Sequence, residues 1–409
     1  MRTTPLLPIN TAAISGLPQR RRSAACSITS QMKAFYTAVA LCAASYTTLA
    51  QVVNTATLDT SAVTPPGKVT VAGYVDVYYG YDFSRPETGD RPYFVSSARH
   101  NELTVNLAFI DIRYTSANLR ARFVPGVGTY MNANYAAEPG TLRNIVEANV
   151  GVRLFRNRQI WLDAGVLGSP YTNESAISKD HLMYTRSFAP EYVPYYLSGV
   201  KLTLPLSPKV TAYLYGLNGW QQIQDVNRGK ALGTQIEYRP SEQVLINWNT
   251  YIGDERSAAR PTYRTRYFSD VFVIYNPGGR FDATACVYGG LQNRLDTLNG
   301  GRTVADRWWQ VNVIGRYKLS DRTSLSGRLE YFNDPRNVQI TSIADNPRPN
   351  PLQFRSSSAS LCLNVKVTDN VLARFESRTF FSDLNVYRDA GGNPARSSQL
   401  LIGSLAAWF

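Results

Sequence analysis

The sequence predicts an all-β protein: a transmembrane, antiparallel, up-and-down β-barrel of about sixteen strands, with short periplasmic turns and long extracellular loops. Three observations carry this. From Lys68 onward, apolar and polar side chains alternate with period two in one segment after another. The connections between these segments alternate between short and long. The last stretch, Ser398–Phe409 (SQLLIGSLAAWF), ends on an aromatic residue with no polar tail behind it.

Composition narrows the class further. The chain has 409 residues, 44% of them hydrophobic, and no uncharged apolar run in it reaches the ~18 residues of a membrane-spanning helix. Any crossing is therefore made by strands. Tyr (26) and Phe (16) are abundant, as strands favour, while His (2) and Met (4) are scarce. Five of the thirteen net positive charges lie in residues 1–50 (Arg2, Arg20, Arg21, Arg22, Lys33), and the other eight are scattered singly. Scattered charge makes no phosphate-tracking stripe, so nucleic acid is not an expected partner.

Residues 1–50 read as a leader. Met32-Lys33, an apolar core and Thr48-Leu49-Ala50 before Gln51 are the parts of a signal peptide over 32–50, with an upstream extension before it. Residues 51–67, with Pro65-Pro66, read as a flexible periplasmic lead-in, and 68–409 as the barrel. Of the four cysteines, Cys26 and Cys42 fall in the leader. Cys286 and Cys362 fall on separate strands, as small buried or lumen-facing thiols without a redox or zinc spacing.

The first strand, KVTVAGYVDVYYGYDF, puts Val69, Val71, Gly73, Val75, Val77, Tyr79, Tyr81 and Phe83 on one face. Lys68, Thr70, Asp76, Tyr78 and Asp82 lie on the other. PYYLSGVKLTLPL sets Val200, Leu202 and Leu204 opposite Lys201 and Thr203. RWWQVNVIGRYKLS sets Trp309, Val311, Val313, Gly315 and Tyr317 opposite Gln310, Asn312, Arg316 and Lys318. A charge facing lipid at mid-depth costs about 2–4 kcal/mol, so the uncharged faces are expected outward and the mixed faces toward water. ELTVNLAFIDIRY changes parity near Ala108, the mark of a bulge.

Short connections are expected near Ser116–Asn118, Phe155–Arg158, Ser207–Lys209, Pro240–Glu242, Asn276–Gly279, Ser320–Arg322 and Thr368–Asn370. Long ones are expected near 84–101, 131–141, 168–192, 219–229, 253–264, 292–306, 333–355 and 383–397. That two-sided rhythm suits a membrane barrel with both chain ends on the short-turn side, and a soluble sandwich has no need of it. Trp161, Trp220, Trp308 and Trp408 lie near expected strand ends, where an interfacial girdle would use them.

The segments GYVDVYYGYDF, GVLGSPYTNES, TRSFAPEYVPYYLSGVKLT and LYGLNGWQ, in that order, resemble the OmpL-like β-barrel porin family of Gram-negative outer membranes. The resemblance spans roughly 68–409. The final strand closed by Phe409 likewise resembles the C-terminal signature of outer-membrane barrels, read by their assembly machinery. The resemblance implies an outer-membrane channel for small polar solutes, reached by export through the periplasm, with lipid and lipopolysaccharide around it. A homo-oligomer is compatible with that class.

Catalytic chemistry has little to stand on. With only His100 and His181, both in expected outer loops, no histidine metal site is available, and Ser178 and Asp180 beside His181 are ordinary loop neighbours. No cofactor is expected, and the chain is not read as an enzyme. The longest loop, 168–192, lies between strands five and six and carries Glu174, Lys179, Asp180, His181, Arg186 and Glu191. By analogy with general porins it is the candidate constriction, with Glu174, Lys179, Asp180, Arg186 and Glu191 facing the pore. Arg120, Arg122, Glu147, Arg153 and Asp163 are the candidate lumen wall. Loop acids against wall arginines would set a transverse field, and the net positive interior suggests a mild preference for anions. The alternative is a non-channel barrel, an adhesin or anchor whose lumen its own loops plug. A β-sandwich lectin is the remaining class.

Overall fold

The computed structural model describes residues 67–297, 300–340 and 353–409. The leader, the signal peptide and the lead-in up to residue 66 lie outside the described residues. In the first half run β1 Lys68–Asp82, β2 Leu103–Thr115, β3 Leu119–Val127, β4 Ile145–Phe155, β5 Arg158–Gly168, β6 Tyr196–Ser207, β7 Val210–Leu217 and β8 Ala231–Ser241. The second half has β9 Val244–Asp254, β10 Tyr263–Tyr275, β11 Phe281–Asp296, β12 Arg302–Lys318, β13 Thr323–Asp334, β14 Phe354–Thr368 and β15 Val371–Phe381. A two-residue ladder, β16 Tyr387–Arg388 with β17 Pro394–Ala395, sits in the last loop before β18 Ser397–Trp408.

Each barrel strand pairs antiparallel with its sequence neighbour, and β18 pairs with both β15 and β1, so sixteen strands close into a barrel. Closure leaves no unpaired edge in the membrane, where an unpaired backbone N–H or C=O has no water to turn to. The seam continues past β18. Gly73 N donates to Phe409 O (3.2 Å) and Phe409 N to Gly73 O (3.1 Å). The Phe409 ring lies on Gly73 itself, where a Cβ would come within 2.1 Å of it.

The outward phase matches the alternation in the sequence. Val69, Val71, Val75, Tyr79, Trp309, Val311, Val313, Tyr317, Leu401 and Leu405 are exposed, while Tyr74, Asp76, Tyr78, Gln310, Asn312, Leu400 and Ile402 are buried. The expected bulge lies two residues upstream of Ala108: Asp76 faces Leu107 and Val77 faces Val105, leaving Asn106 as the extra residue. Its side chain turns inward and donates to Asp76 Oδ2 (3.0 Å).

Two expectations are corrected. The long loop expected at 292–306 is a continuing hairpin, because β11 runs to Asp296 and β12 starts at Arg302. Above the bilayer a ladder needs no apolar face, so polar residues there do not end the strands. The four tryptophans are not an interfacial girdle. Trp161 and Trp308 are buried inside the barrel, Trp220 packs on the interior cluster, and Trp408 pairs with inward Tyr74. The lipid-facing indoles are those of Trp248 and Trp309, 48% and 43% exposed.

Candidate functional site: the lumen loop and the wall facing it

Between β5 and β6, residues 169–195 (L3) run inside the barrel. An irregular segment buried there must find partners for its own N–H and C=O groups. The inward side chains of β10–β15 and β1 supply them. Thr172 N donates to Asp270 Oδ2 (2.6 Å), and Asn173 Nδ2 donates to Thr284 Oγ1 (3.0 Å) and Asn312 Oδ1 (2.9 Å). Tyr184 N and Thr185 N both donate to Glu376 Oε2 (2.9 and 2.8 Å), and Phe188 N to Glu330 Oε2 (2.6 Å). Carbonyls are met by arginines: Arg374 donates to Ser178 O and His181 O (2.5 and 2.7 Å), and Arg378 to Arg186 O (2.8 Å). On β1, the Tyr74 hydroxyl meets Ser178 Oγ at 2.7 Å.

The wall that receives L3 is itself ion-paired. Arg378 Nη2 lies 2.6 Å from Glu330 Oε1, and Arg328 Nη2 lies 3.2 Å from Glu376 Oε1, with all four side chains fully buried. Arg378 also lies over the rings of Phe380, Phe94 and Phe188 (4.5, 4.8 and 5.3 Å). Phe94 belongs to the first long loop, L1 (residues 83–102), so L1 and L3 share one aromatic cluster with Phe332, Phe354 and Phe380. These five charged residues, Arg328, Glu330, Arg374, Glu376 and Arg378, were not among the expected site residues. Their signal is visible in GRLEYF and ARFESRTF, where opposite charges follow each other at period two on the inward phase.

The structure separates the expected loop residues into two groups. Glu174 and Arg186 do not face water: both are buried, and they fold L3 upon itself. Glu174 Oε2 accepts from Ser187 N (2.9 Å), while Arg186 donates to the carbonyls of Ser175, Ala176 and Tyr184. Burial pushes the Glu174 carboxyl up from its ordinary range. His181 is not in an outer loop but buried within L3. Burial and the neighbouring Arg186, Arg374 and Arg328 hold it well below the usual imidazole range. The ring is therefore neutral, and its Nε2 accepts from Ser175 N (2.7 Å).

Glu191 is half-buried and ties the two loops: Oε2 accepts from Val95 N of L1 (2.7 Å) and Oε1 from the Tyr195 hydroxyl (3.3 Å). Burial raises it to about 7 against the pull of the Val95 and Ser96 backbone N–H groups and of Arg186 and Arg378. Lys179 and Asp180 do reach water. They pair at 2.7 Å, with Lys179 Nζ 5.7 Å from the Trp408 ring centre.

All five expected wall residues lie on the inward phase of β3–β5. Arg122 pairs with Asp111 (2.8 Å) and Glu147 (2.5 Å). Arg120 lies side-on to Asp163, Nε to Oδ1 at 2.6 Å, with its guanidinium 4.5 Å from the Trp161 ring centre. Gly151 makes that pair possible, since a Cβ there would lie 2.1 Å from Asp163 Oδ1. Arg153 stands apart and donates to Asn118 Oδ1 (2.9 Å). Sequence reading missed Asp111, Arg113 and Lys201, which share this wall.

A closed sixteen-stranded membrane barrel with a loop folded into its lumen is the architecture of porins. The match to a family model is specific: the chain belongs to the family described as "Putative beta-barrel porin-2, OmpL-like", over residues 68–409. It is an outer-membrane porin. Among solved structures it is similar to the outer membrane channel DcaP of Acinetobacter baumannii (TM-score 0.55, 11% identity, covering 84% of this chain and 97% of that one). It is also similar to the anion-selective porin from Comamonas acidovorans (TM-score 0.53, 9% identity, 84% and 100% covered). The same holds for Salmonella typhi OmpF, solved in complex with daunomycin (TM-score 0.55, 8% identity, 84% and 98% covered). At these identities the likeness is one of fold. No curated protein matches the chain in sequence.

Proposed function

We propose that the chain is a passive diffusion channel for small polar solutes and not an enzyme. Its constriction lies between the water-facing side of L3, at Lys179 and Asp180, and the wall carrying Arg120, Arg122, Glu147, Arg153 and Asp163. The observation that supports this best is the contrast in exposure. The L3 charges that fold the loop are buried, whereas the facing wall keeps its arginines partly in water. In this reading the leader directs export through the periplasm, and the β18 strand ending at Phe409 is presented to the barrel assembly machinery. Lipid and lipopolysaccharide surround the apolar outer face, and copies of the chain assemble as a homo-oligomer.

Planar-bilayer conductance of the purified protein tests the channel, with discrete steps and a reversal potential on the anion side expected in a salt gradient. The packing of L1 and L3 over β13–β15 favours a second reading, a barrel plugged as an anchor or adhesin. Electrical silence in well-folded protein would support that reading instead.

A further inference from the structure

Three aspartates on the lumen wall share one arrangement. Asp111 is flanked by Arg113 and Arg122 (2.6 and 2.8 Å), Asp163 by Arg120 and Lys201 (2.5 and 3.8 Å), and Asp282 by Arg316 and Lys318 (2.7 and 3.5 Å). The carboxylates are hidden, with side chains 5%, 3% and 2% exposed, while the six cations are 25–53% exposed. Water in the lumen therefore meets the cations and not the acids behind them.

The guanidinium geometry strengthens the point. Arg113, Arg120 and Arg316 each use Nε and Nη2 on their aspartate. A guanidinium has five N–H donors, so this side-on pairing leaves Nη1 and its two hydrogens to the lumen. Lys201 and Lys318 lie too far from the carboxylate for a tight hydrogen bond and keep donors to spare. Each cluster, two cations to one aspartate, thus carries one net positive charge with donors to spare. Arg122 gives part of its charge to Glu147. The first two clusters lie on β2, β3, β5 and β6 and the third on β11 and β12. In the sixteen-strand ring β12 lies eight strands from β4, so the clusters face each other across the lumen. Arg113 and Lys318 lie near the short turns at 116–118 and 319–322.

We infer that these clusters form a two-sided oxyanion track in the short-turn half of the lumen, which takes small solutes bearing a carboxylate or phosphate group. The inference deepens the diffusion-channel reading and rests on it for transport. An arriving oxyanion takes the free Nη1 and ammonium donors without displacing the aspartates, so its capture is fast, weak and sensitive to salt.

The test uses the full-length protein and the double variant Lys201→Gln/Lys318→Gln, which leaves each aspartate paired with its arginine. In planar bilayers the wild type should favour chloride over potassium. Inorganic phosphate added on the short-turn side should reduce the chloride current at lower concentration than when added on the loop side. In the double variant the anion-to-cation permeability ratio should fall about threefold or more, with the single-channel conductance within about twofold of wild type. An unchanged ratio in a conducting variant overturns the inference. If neither protein conducts, the diffusion-channel reading fails, and phosphorus NMR in detergent tests the track alone. Phosphate line-broadening by wild type that the double variant loses supports the track, and no broadening by wild type overturns it.

Discussion

The wall formed by β13–β15 and the wall formed by β2–β6 both carry arginines and carboxylates on inward positions, and they differ in what lies over them. On β13 and β15 the charges are covered by L3 and an aromatic cluster, and Arg328, Arg374 and Arg378 spend their donors on carboxylates, loop carbonyls and wall side chains such as Asn364 and Ser358. On β2–β6 only the aspartates are covered, and their cations keep part of their surface in water. The same ion pair is a structural clamp where water is excluded and an exchangeable surface where it is not. Desolvation decides which.

The largest expected effect comes from breaking the clamp. Glu330→Ala strands buried Arg378 and removes the acceptor of Phe188 N, and should cost about 3–5 kcal/mol. Unfolding followed by gel mobility without boiling should show a clearly lower midpoint, and protease should gain access to residues 169–195. Asp163→Asn on the other wall leaves solvated cations and should cost less than about 1 kcal/mol. Equal losses in the two variants would remove the distinction between the walls.

A middle-sized effect belongs to the tie between L1 and L3. The Glu191 carboxyl is raised to about 7, above its ordinary value near 4.5, so the packed state favours its protonated form. Its contribution is therefore full below about pH 4.5 and lost as pH rises through about 7. With allowance for its half-buried position this is on the order of 1 kcal/mol. Hydrogen exchange at Val95 and Tyr195 should be slower at pH 5.5 than at pH 8 once intrinsic rates are divided out. Glu191→Gln should flatten that difference, and a wild-type profile already flat across this window would refute the assignment.

The smallest effect in stability, though not in selectivity, is expected from Gly151→Ala. The added methyl pushes the Asp163 side chain away from Arg120, a flexible adjustment worth about 0.5 kcal/mol. The freed guanidinium should shift the reversal potential measurably. A variant indistinguishable from wild type would show that the pair does not feel the pore.

Much of this architecture was legible because lipid punishes a charge position by position. The outward phases of β1, β6, β12 and β18 could be read for that reason, and so could the inward phase of Arg120, Arg122, Glu147 and Asp163. The inward face carries no equivalent constraint. A residue there meets either water or a folded-in loop, and both tolerate arginine, so nothing local told buried Arg186 from water-facing Lys179. Adjacent Trp308 and Trp309 make the same point: one ring is inside and one outside, and only the register of β12 separates them. Arg328, Glu330, Arg374, Glu376 and Arg378 were readable as alternating charges, but their task depends on a loop more than a hundred residues upstream.

The seat of Phe409 on Gly73 bears on the order of events during biogenesis. The two residues are separated by nearly the whole barrel sequence, so β1 is synthesised long before the partner that completes its ladder. Until β18 arrives, one side of β1 is a row of unsatisfied amides, the kind of margin on which chains stick to one another. The glycine niche gives the terminal ring one place to dock when the cylinder shuts, and that margin is then closed.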